Sequence, residues 1–455
     1  MPAPDADPAP STGPLRAPVG THDVLPPDSA RWGALVAAFA GVVERAGYGL
    51  CQSPMFEDVG VFARVGSGTD VVSKEMYEFR DRGDRHLALR PEGTASVVRA
   101  FCEHRPVTPW KVWYASPVFR YERPQGGRYR QHHQLGVEAI GAADPDLDVE
   151  VIALCADFYR AIGLRQVDLV VNTLGTPAQR ASYAAELAAW FAERLGDLDP
   201  ADRERAATHP LRVLDSKRDA TRALVAEAPR IADSLGADER AHFDRVLEGL
   251  ASVGIEAQVD HQLVRGLDYY THTLFEFRSP ALDAAQDAIG GGGRFDGLVE
   301  AMGGPATPAV GFGTGIERVL LACDAEGVFD APGSPVEVFV VDTADGTSAR
   351  ELTTELRRSG VGADRAYDGR SMKAQMRAAD RAGAAIALIV GPDELAAGTV
   401  TLRPLRHAGP VEGSQRGEQT VVPRHGVVAV VQAQLAALAG GSGVSGAGGG
   451  GETQG

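Results

Sequence analysis

"FRYERPQGGRYRQHHQLGVEAIG", from Phe119 to Gly141, gathers four arginines around a Pro-Gln-Gly-Gly bend in a chain whose formal net charge at pH 7 is -16. Read as two strands joined at Gly126-Gly127, the stretch places Val118, Arg120 and Glu122 on one face of the first strand. Gln134, Gly136 and Glu138 then share a face of the second. Two acids, an arginine and an amide, with a glycine leaving space among them, make a polar floor rather than a core. Such a floor suits a small ligand: Arg120 can grip a phosphate or carboxylate with two parallel hydrogen bonds, and Glu138 can accept from a cationic or N–H group. A solvated hairpin with surface arginines accounts for the pattern alone equally well.

Other stretches carry matching chemistry. "LRPEGT" (Leu89 to Thr94) sets Glu92 beside Gly93 and Thr94: a carboxylate, open backbone and a hydroxyl able to hold an amino group. "RGLDYYT" (Arg265 to Thr271) adds a cation and the paired hydroxyls of Tyr269 and Tyr270. "GGGGRFDGLVEAMGG" and "AVGFGTGIERVLL" supply closely approachable backbone, and Arg318 lies in the first turns of a helix. The "GFGTG" run is not a dinucleotide fingerprint, because Ile316 stands where the third glycine belongs and the run comes late in the chain. No glycine run ends in Gly-Lys-Ser/Thr, so there is no P-loop. His132 and His133 are adjacent on a strand and point to opposite faces, which is no metal pair. One can face a ligand and the other the core.

The chain has 455 residues, 44% of them apolar, enough for two or three domains. Its acidity argues against nonspecific adhesion to nucleic acid or membranes but leaves room for local basic patches. Cys51, Cys102, Cys155 and Cys323 form no C-x-x-C pair, so neither zinc nor a disulfide framework is indicated. The first seventeen residues fit no targeting peptide and no apolar run reaches membrane-spanning length, which points to the cytoplasm. The Pro/Ala-rich head (1–17) and Gly-rich tail (440–455) lack the apolar residues that offset ordering entropy and read as disordered.

Between these ends, residues 18–330 read as a sheet-based domain that opens with an amphipathic helix over Ser29 to Ala46. It is interrupted over about 177–254 by an Ala/Arg/Glu/Leu-rich helical insertion. After a Pro/Gly linker (331–335), alternating strands and helices predict a small α/β domain over 336–439. On its second helix Arg370, Lys373, Arg377 and Arg381 share a face, either a solvated surface or an RNA contact, and Met372, Met376 and Ala379 are assigned to core.

Together, "FRYE" with "GRYRQHHQLGVE", "LRPEGT", "RGLDYYT" and "GFGTGIER" resemble the class II aminoacyl-tRNA synthetases, and "RGLDYYT" is similar to the signature of the histidyl-tRNA synthetase family. The likeness runs from "GTHDVLP" (Gly20 to Pro26) through "DVVSKEMYEF" to "GRSMKAQMRAADRAGA", "ELAAGTVTLRPL" and "GEQTVVP". The resemblance implies an α+β catalytic domain on a six-stranded antiparallel sheet, the helical insertion, and a C-terminal α/β anticodon-binding domain, assembled as a homodimer. It also implies the reaction: L-histidine and ATP, the latter with Mg2+, give histidyl-adenylate, and histidine then passes to histidine-specific tRNA.

Carried onto this chain, the resemblance gives histidine binding to Glu92, Gly93, Thr94, Arg120, Gln134, Glu138, Arg265, Tyr269 and Tyr270. ATP falls to Arg120, Glu122, His132 and Arg318, and the tRNA acceptor end to Arg123 and Gln125, with Arg128 and Arg130 in the same loop. Arg265 and Arg120 carry catalysis. The family commonly has an aromatic where this chain has His132, over adenine, which predicts altered ATP affinity or pH dependence. Two other readings compete: a non-catalytic, synthetase-like regulatory subunit of ATP phosphoribosyltransferase, and a pseudo-synthetase RNA sensor. The intact Glu92, Arg120, Arg265 and Arg318 argue against both.

Overall fold

The computed structural model describes residues 14–66, 72, 74–124, 126–265, 269–282, 287–406 and 419–441. The chain divides between Ala331 and Pro332 into two compact units.

The first unit is built on one large sheet. Six antiparallel strands lie side by side in the order Trp110–Phe119, Gln131–Ile140, Ala309–Gly315, Ala288–Arg294, Thr271–Arg278 and Asp168–Thr173. Two-residue parallel strands, Gly49–Leu50 and Gln258–Val259, extend the edges. Side chains alternate between the faces, and one parity is mainly apolar: Trp113, Leu135, Val137, Ala139, Val310, Phe312, Phe275, Phe277 and Val171 form one core with the helices Asp28–Val43, Pro145–Ala161, Ala237–Ser252 and Ile316–Glu326. Phe39 is the hub on the first of these helices, its ring 5.1 Å from Phe158, 6.0 Å from Trp113 and 6.1 Å from Phe312. That helix runs as expected, its last turn tightening to a 3₁₀ turn over Glu44–Ala46. Helix Pro145–Ala161 starts where Asp144 accepts from the Asp146 N–H, with Pro145 preset for the first turn.

Residues 177–254 contain helices and no strand. The first, Pro177–Ala192, opens on a Thr176/Gln179 capping box. Its Tyr183, Leu187, Phe191, Val213, Val225 and Ile231 share one core with Val170 and Leu274 of the sheet and with Leu263 and Tyr270.

The bend read at Gly126-Gly127 is longer than expected. The strands stop at Phe119 and restart at Gln131, so Arg120 and Glu122 lie in the connection and not on a strand. The ladder reaches Arg120, whose N–H donates to the Arg130 carbonyl at 2.9 Å, and ends there because the Arg130 N–H donates instead to the Gly20 carbonyl at 2.8 Å.

The second unit has a five-stranded sheet in the order Ala363–Arg365, Val338–Asp342, Ile386–Val390, Thr399–Pro404 and Thr420–Pro423, the first three parallel and the last two antiparallel. Helix Thr347–Arg358 and helix Val427–Gly441 cover one face through Leu352, Leu356, Val427 and Val431, and helix Met372–Arg381 covers the other through Ala379. Met372, expected in the core, is 41% exposed. Gln375 takes the buried place, accepting from the Asp342 N–H and donating to the Asp342 and Arg370 carbonyls. Arg370, Lys373, Arg377 and Arg381 are all exposed.

Candidate functional site

The face of the large sheet opposite the apolar one carries a floor of glycines. One row of paired residues runs Tyr114, Gly136, Gly313, Gly291, Glu276; the next runs Glu138, Gly311, Gly293, Leu274. These glycines are there for close approach. A Cβ on Gly311 would overlap the Glu138 carboxylate, and one on either Gly93 or Gly136 would overlap the Tyr114 ring. At Gly291 a Cβ would stand 2.7 Å from Arg265 Nη1.

Two buried carboxylates occupy one end of this floor. Glu92 is 4% exposed; its Oε2 and Oε1 accept from the Thr94 and Ala95 N–H groups, each at 2.7 Å, at the start of helix Thr94–His104. Burial raises its pKa and those backbone hydrogen bonds oppose the rise without cancelling it. Glu138 is fully buried, and its Oε1 accepts from Thr94 Oγ1 at 2.6 Å and from the Tyr114 hydroxyl at 3.4 Å. Burial, which outweighs the Thr94 hydrogen bond and is reinforced by the charge of Glu92, drives its pKa well above the ordinary range. Its Oε2 accepts no hydrogen bond from any described residue. Two acids held together in a dry site favour a ligand that brings N–H donors and positive charge.

Tyr270 is buried, next to Gly293, and Tyr269 lies 4.6 Å from it, ring to ring. Tyr269 also lines a cavity of about 550 Å³ whose far wall is the helical insertion, including Pro177, Ala181 and Leu211. Gln134 pairs with Gly315 on the same parity as Glu138.

Arg120 stands beside the acids, its Nε donating to the Pro91 carbonyl at 2.8 Å. Two further arginines lie against strand Ala288–Arg294. Arg265 Nη1 donates to Glu276 at 2.7 Å while lying over Gly291. Arg318, in the first turn of its helix, donates to the Ala288 carbonyl at 2.8 Å. Burial and then the nearby Arg128 lower its pKa, the mark of two guanidiniums sharing one place. Arg128 in turn pairs with Glu122 at 2.9 Å. Neighbouring arginines around open backbone suit a polyphosphate.

His132 is half-buried on the floor side, and burial, then the charge of Arg120, drive its pKa down to about 3. Held so low, the imidazole is neutral near pH 7. His133 faces the other way, as expected: its backbone N–H and Nδ1 meet the Glu317 carboxylate at 3.1 and 2.9 Å, and its ring lies 5.4 Å from Trp32.

Thus Glu92, Gly93, Thr94 and Glu138 meet at one end, and Arg265 and Arg318 both lie against the strand Ala288–Arg294. Arg123 is exposed in the connecting loop, and Arg130 stacks over Tyr121 at 4.0 Å. Gln125 and residues 266–268 lie outside the described residues, as do most of the head and tail. Sequence reasoning missed Tyr114 and Glu276; the signal was that alternation along their strands aims both at the floor. Among the described residues no group of three or more His, Cys, Asp or Glu side chains could hold a metal, and no helix is long and apolar enough to cross a membrane.

Residues 20–319 match the family profile described as histidyl-tRNA synthetase, and residues 336–434 the anticodon binding domain. A histidine–tRNA ligase of Rhodococcus erythropolis is 48% identical over 418 residues, covering 90% of this chain and 96% of that protein. One of Geobacillus kaustophilus is 45% identical over 417 residues, covering 90% and 96%. The apo S. aureus histidyl-tRNA synthetase structure superposes with a TM-score of 0.76 at 34% identity, over 92% of this chain and all of the other.

Proposed function

The chain belongs to the histidyl-tRNA synthetase family, and from that premise we propose which of its residues carry out ATP-dependent ligation of L-histidine to histidine-specific tRNA. The reaction has two steps. An oxygen of the histidine carboxylate attacks the α-phosphorus of ATP, the bond to the bridging oxygen breaks, and pyrophosphate leaves with the electron pair. The 3'-terminal ribose hydroxyl of the tRNA then attacks the adenylate carbonyl, loses its proton, and AMP leaves.

Glu138 accepts from the imidazole, and Tyr269 and Tyr270 close around it. Glu92, Gly93, Thr94 and Gln134 hold the amino end. Arg120 bridges the carboxylate and the α-phosphate, and Arg265 stabilises the charge that builds there during attack. Glu122, His132 and Arg318 receive the nucleotide; magnesium enters as the counter-ion of ATP and needs few protein ligands. Arg123 and Gln125 meet the acceptor end of the tRNA. Residues 18–330, with the insertion at about 177–254, are the catalytic domain; 331–335 form the linker and 336–439 the anticodon-binding domain.

The exposed pair Phe56 and Phe79, with rings 6.1 Å apart, and the exposed Met55 offer an apolar patch for a homodimer. A cytoplasmic location fits the tRNA substrate and the four cysteines, none of them in a disulfide. The regulatory-subunit reading is not favoured, because the similar relatives are ligases and the anticodon-binding domain is present.

The observation that carries the assignment is the fully buried Glu138, with one oxygen open and Glu92 beside it. Glu138→Gln keeps the shape but removes the carboxylate's capacity for charge and turns one of its two oxygens into an amide donor. It is expected to lower kcat/KM for histidine in ATP–pyrophosphate exchange by about 10- to 100-fold, the range for a lost hydrogen bond to a charged group. KM for ATP is expected to hold within about threefold. An unchanged kcat/KM for histidine would remove Glu138 from the site.

A further inference from the structure

Arg265 does not stand alone. Glu276 occupies the end of the glycine row, paired across the sheet with Gly291, and its Oε2 accepts from Arg265 Nη1 at 2.7 Å. Its other oxygen, Oε1, accepts from Arg278 Nε at 2.9 Å. Arg278 Nη1 reaches Asp260 Oδ2 at 3.4 Å. Asp260 is anchored too: its N–H donates to the Val171 carbonyl, its Oδ1 accepts from the Gln262 N–H at 3.0 Å, and its carbonyl accepts from the Leu263 N–H. Those contacts shape the turn that leads into Arg265. The chain of charges Asp260, Arg278, Glu276, Arg265 therefore returns to the segment where it began.

The order of charges matters. A carboxylate paired with Arg265 alone would orient the guanidinium but also compete with an incoming phosphate for it. Here the Glu276 carboxylate is shared with a second guanidinium, so Arg278 balances it and leaves the charge of Arg265 available. The four side chains are 15 to 30% exposed, so screening weakens their attraction while the hydrogen-bond geometry still fixes direction. A long, flexible side chain left unguided over a glycine floor would visit many rotamers, few of them aimed at the reacting phosphorus.

We propose that Glu276 is a positioning residue of the adenylation step, holding Arg265 over Gly291, with Arg278 and Asp260 fixing Glu276 in turn. The proposal rests on the reading of Arg265 as the cation that meets the α-phosphate.

Histidine-dependent ATP–pyrophosphate exchange tests it with Glu276→Ala, Glu276→Gln, Arg265→Ala and the Glu276→Ala/Arg265→Ala double variant. Glu276→Ala is expected to lower kcat by about 10- to 100-fold, the scale of a small misplacement at a reacting centre, with KM for histidine and for ATP within about threefold. Glu276→Gln keeps an acceptor oxygen in place and is expected to recover most of that loss. The double variant is expected to be no slower than Arg265→Ala, because the two residues act as one unit. Additive losses, a kcat within about twofold of wild type in Glu276→Ala, or no recovery with Gln overturns the inference and leaves Arg265 standing. Unchanged exchange in Arg265→Ala overturns the reading beneath it. Should Glu276→Ala fail to fold, Glu276→Asp, which withdraws the carboxylate by one methylene, takes its place in the same comparison.

Discussion

At the scale of single residues, His132 shows how its surroundings decide what a side chain can do. Burial and Arg120 hold its pKa at about 3, whereas the unfolded chain takes up a proton near 6.5. Between those values the unfolded state binds more protons, so this group's contribution to stability is complete above about pH 6.5 and is lost as pH falls toward 3. It follows that His132→Phe leaves the shape of kcat/KM for ATP unchanged from pH 5.5 to 8 and reduces the loss of stability on acidification below pH 6. An ionisation near 6.5 that disappears from the rate profile with the substitution would contradict this placement. The acids Glu92 and Glu138 were recognisable in the sequence because carboxylates beside glycines have little use in a core. Their mutual proximity was not, since Thr94, which bridges them, lies forty-four residues from Glu138 in the chain.

At the scale of elements, the glycine strands are the device that makes room. Gly311 pairs with Glu138 and lies against its carboxylate, so even a methyl group there must displace the acid or the strand. Gly311→Ala is expected to destabilise the protein by about 1 to 3 kcal/mol and to lower histidine-dependent exchange by at least about tenfold. The contrast is Gly297→Ala, where an added Cβ meets nothing within 4 Å and both quantities are expected to stay near wild type. Urea denaturation midpoints and exchange rates on the same preparations check both; equal behaviour of the two variants would mean that the floor does not need its glycines.

Alternation along "QLGVEAIG" and "AVGFGTG" makes the two faces of the sheet legible from the residues alone. The ends of the strands are not legible in that way. The Arg130 N–H turns to the carbonyl of Gly20, a partner supplied by a distant segment, and the ladder stops before it takes in Glu122. Met372 failed for a related reason: helical spacing named a stripe, but Gln375 fills the buried position because it satisfies the backbone at the end of strand Val338–Asp342.

At the scale of the whole molecule, an acidic chain with a net charge of -16 concentrates arginines where the proposed function puts a triphosphate and keeps two buried carboxylates where it puts an amino acid. In the proposed reading, acids and arginines set along one glycine floor orient a substrate that is itself an amino acid facing a triphosphate. The order of motifs along the sequence carried the family and the two-unit organisation. The ion-pair chain behind Arg265 is a property of the folded sheet, since it joins residues from a turn and from a strand whose registers only folding sets.

Whether this site activates histidine is read by ATP–pyrophosphate exchange measured with each standard amino acid in turn. Exchange stimulated by histidine alone is the predicted result. A failure of every amino acid to stimulate exchange, or stimulation by one other than histidine, would contradict the account.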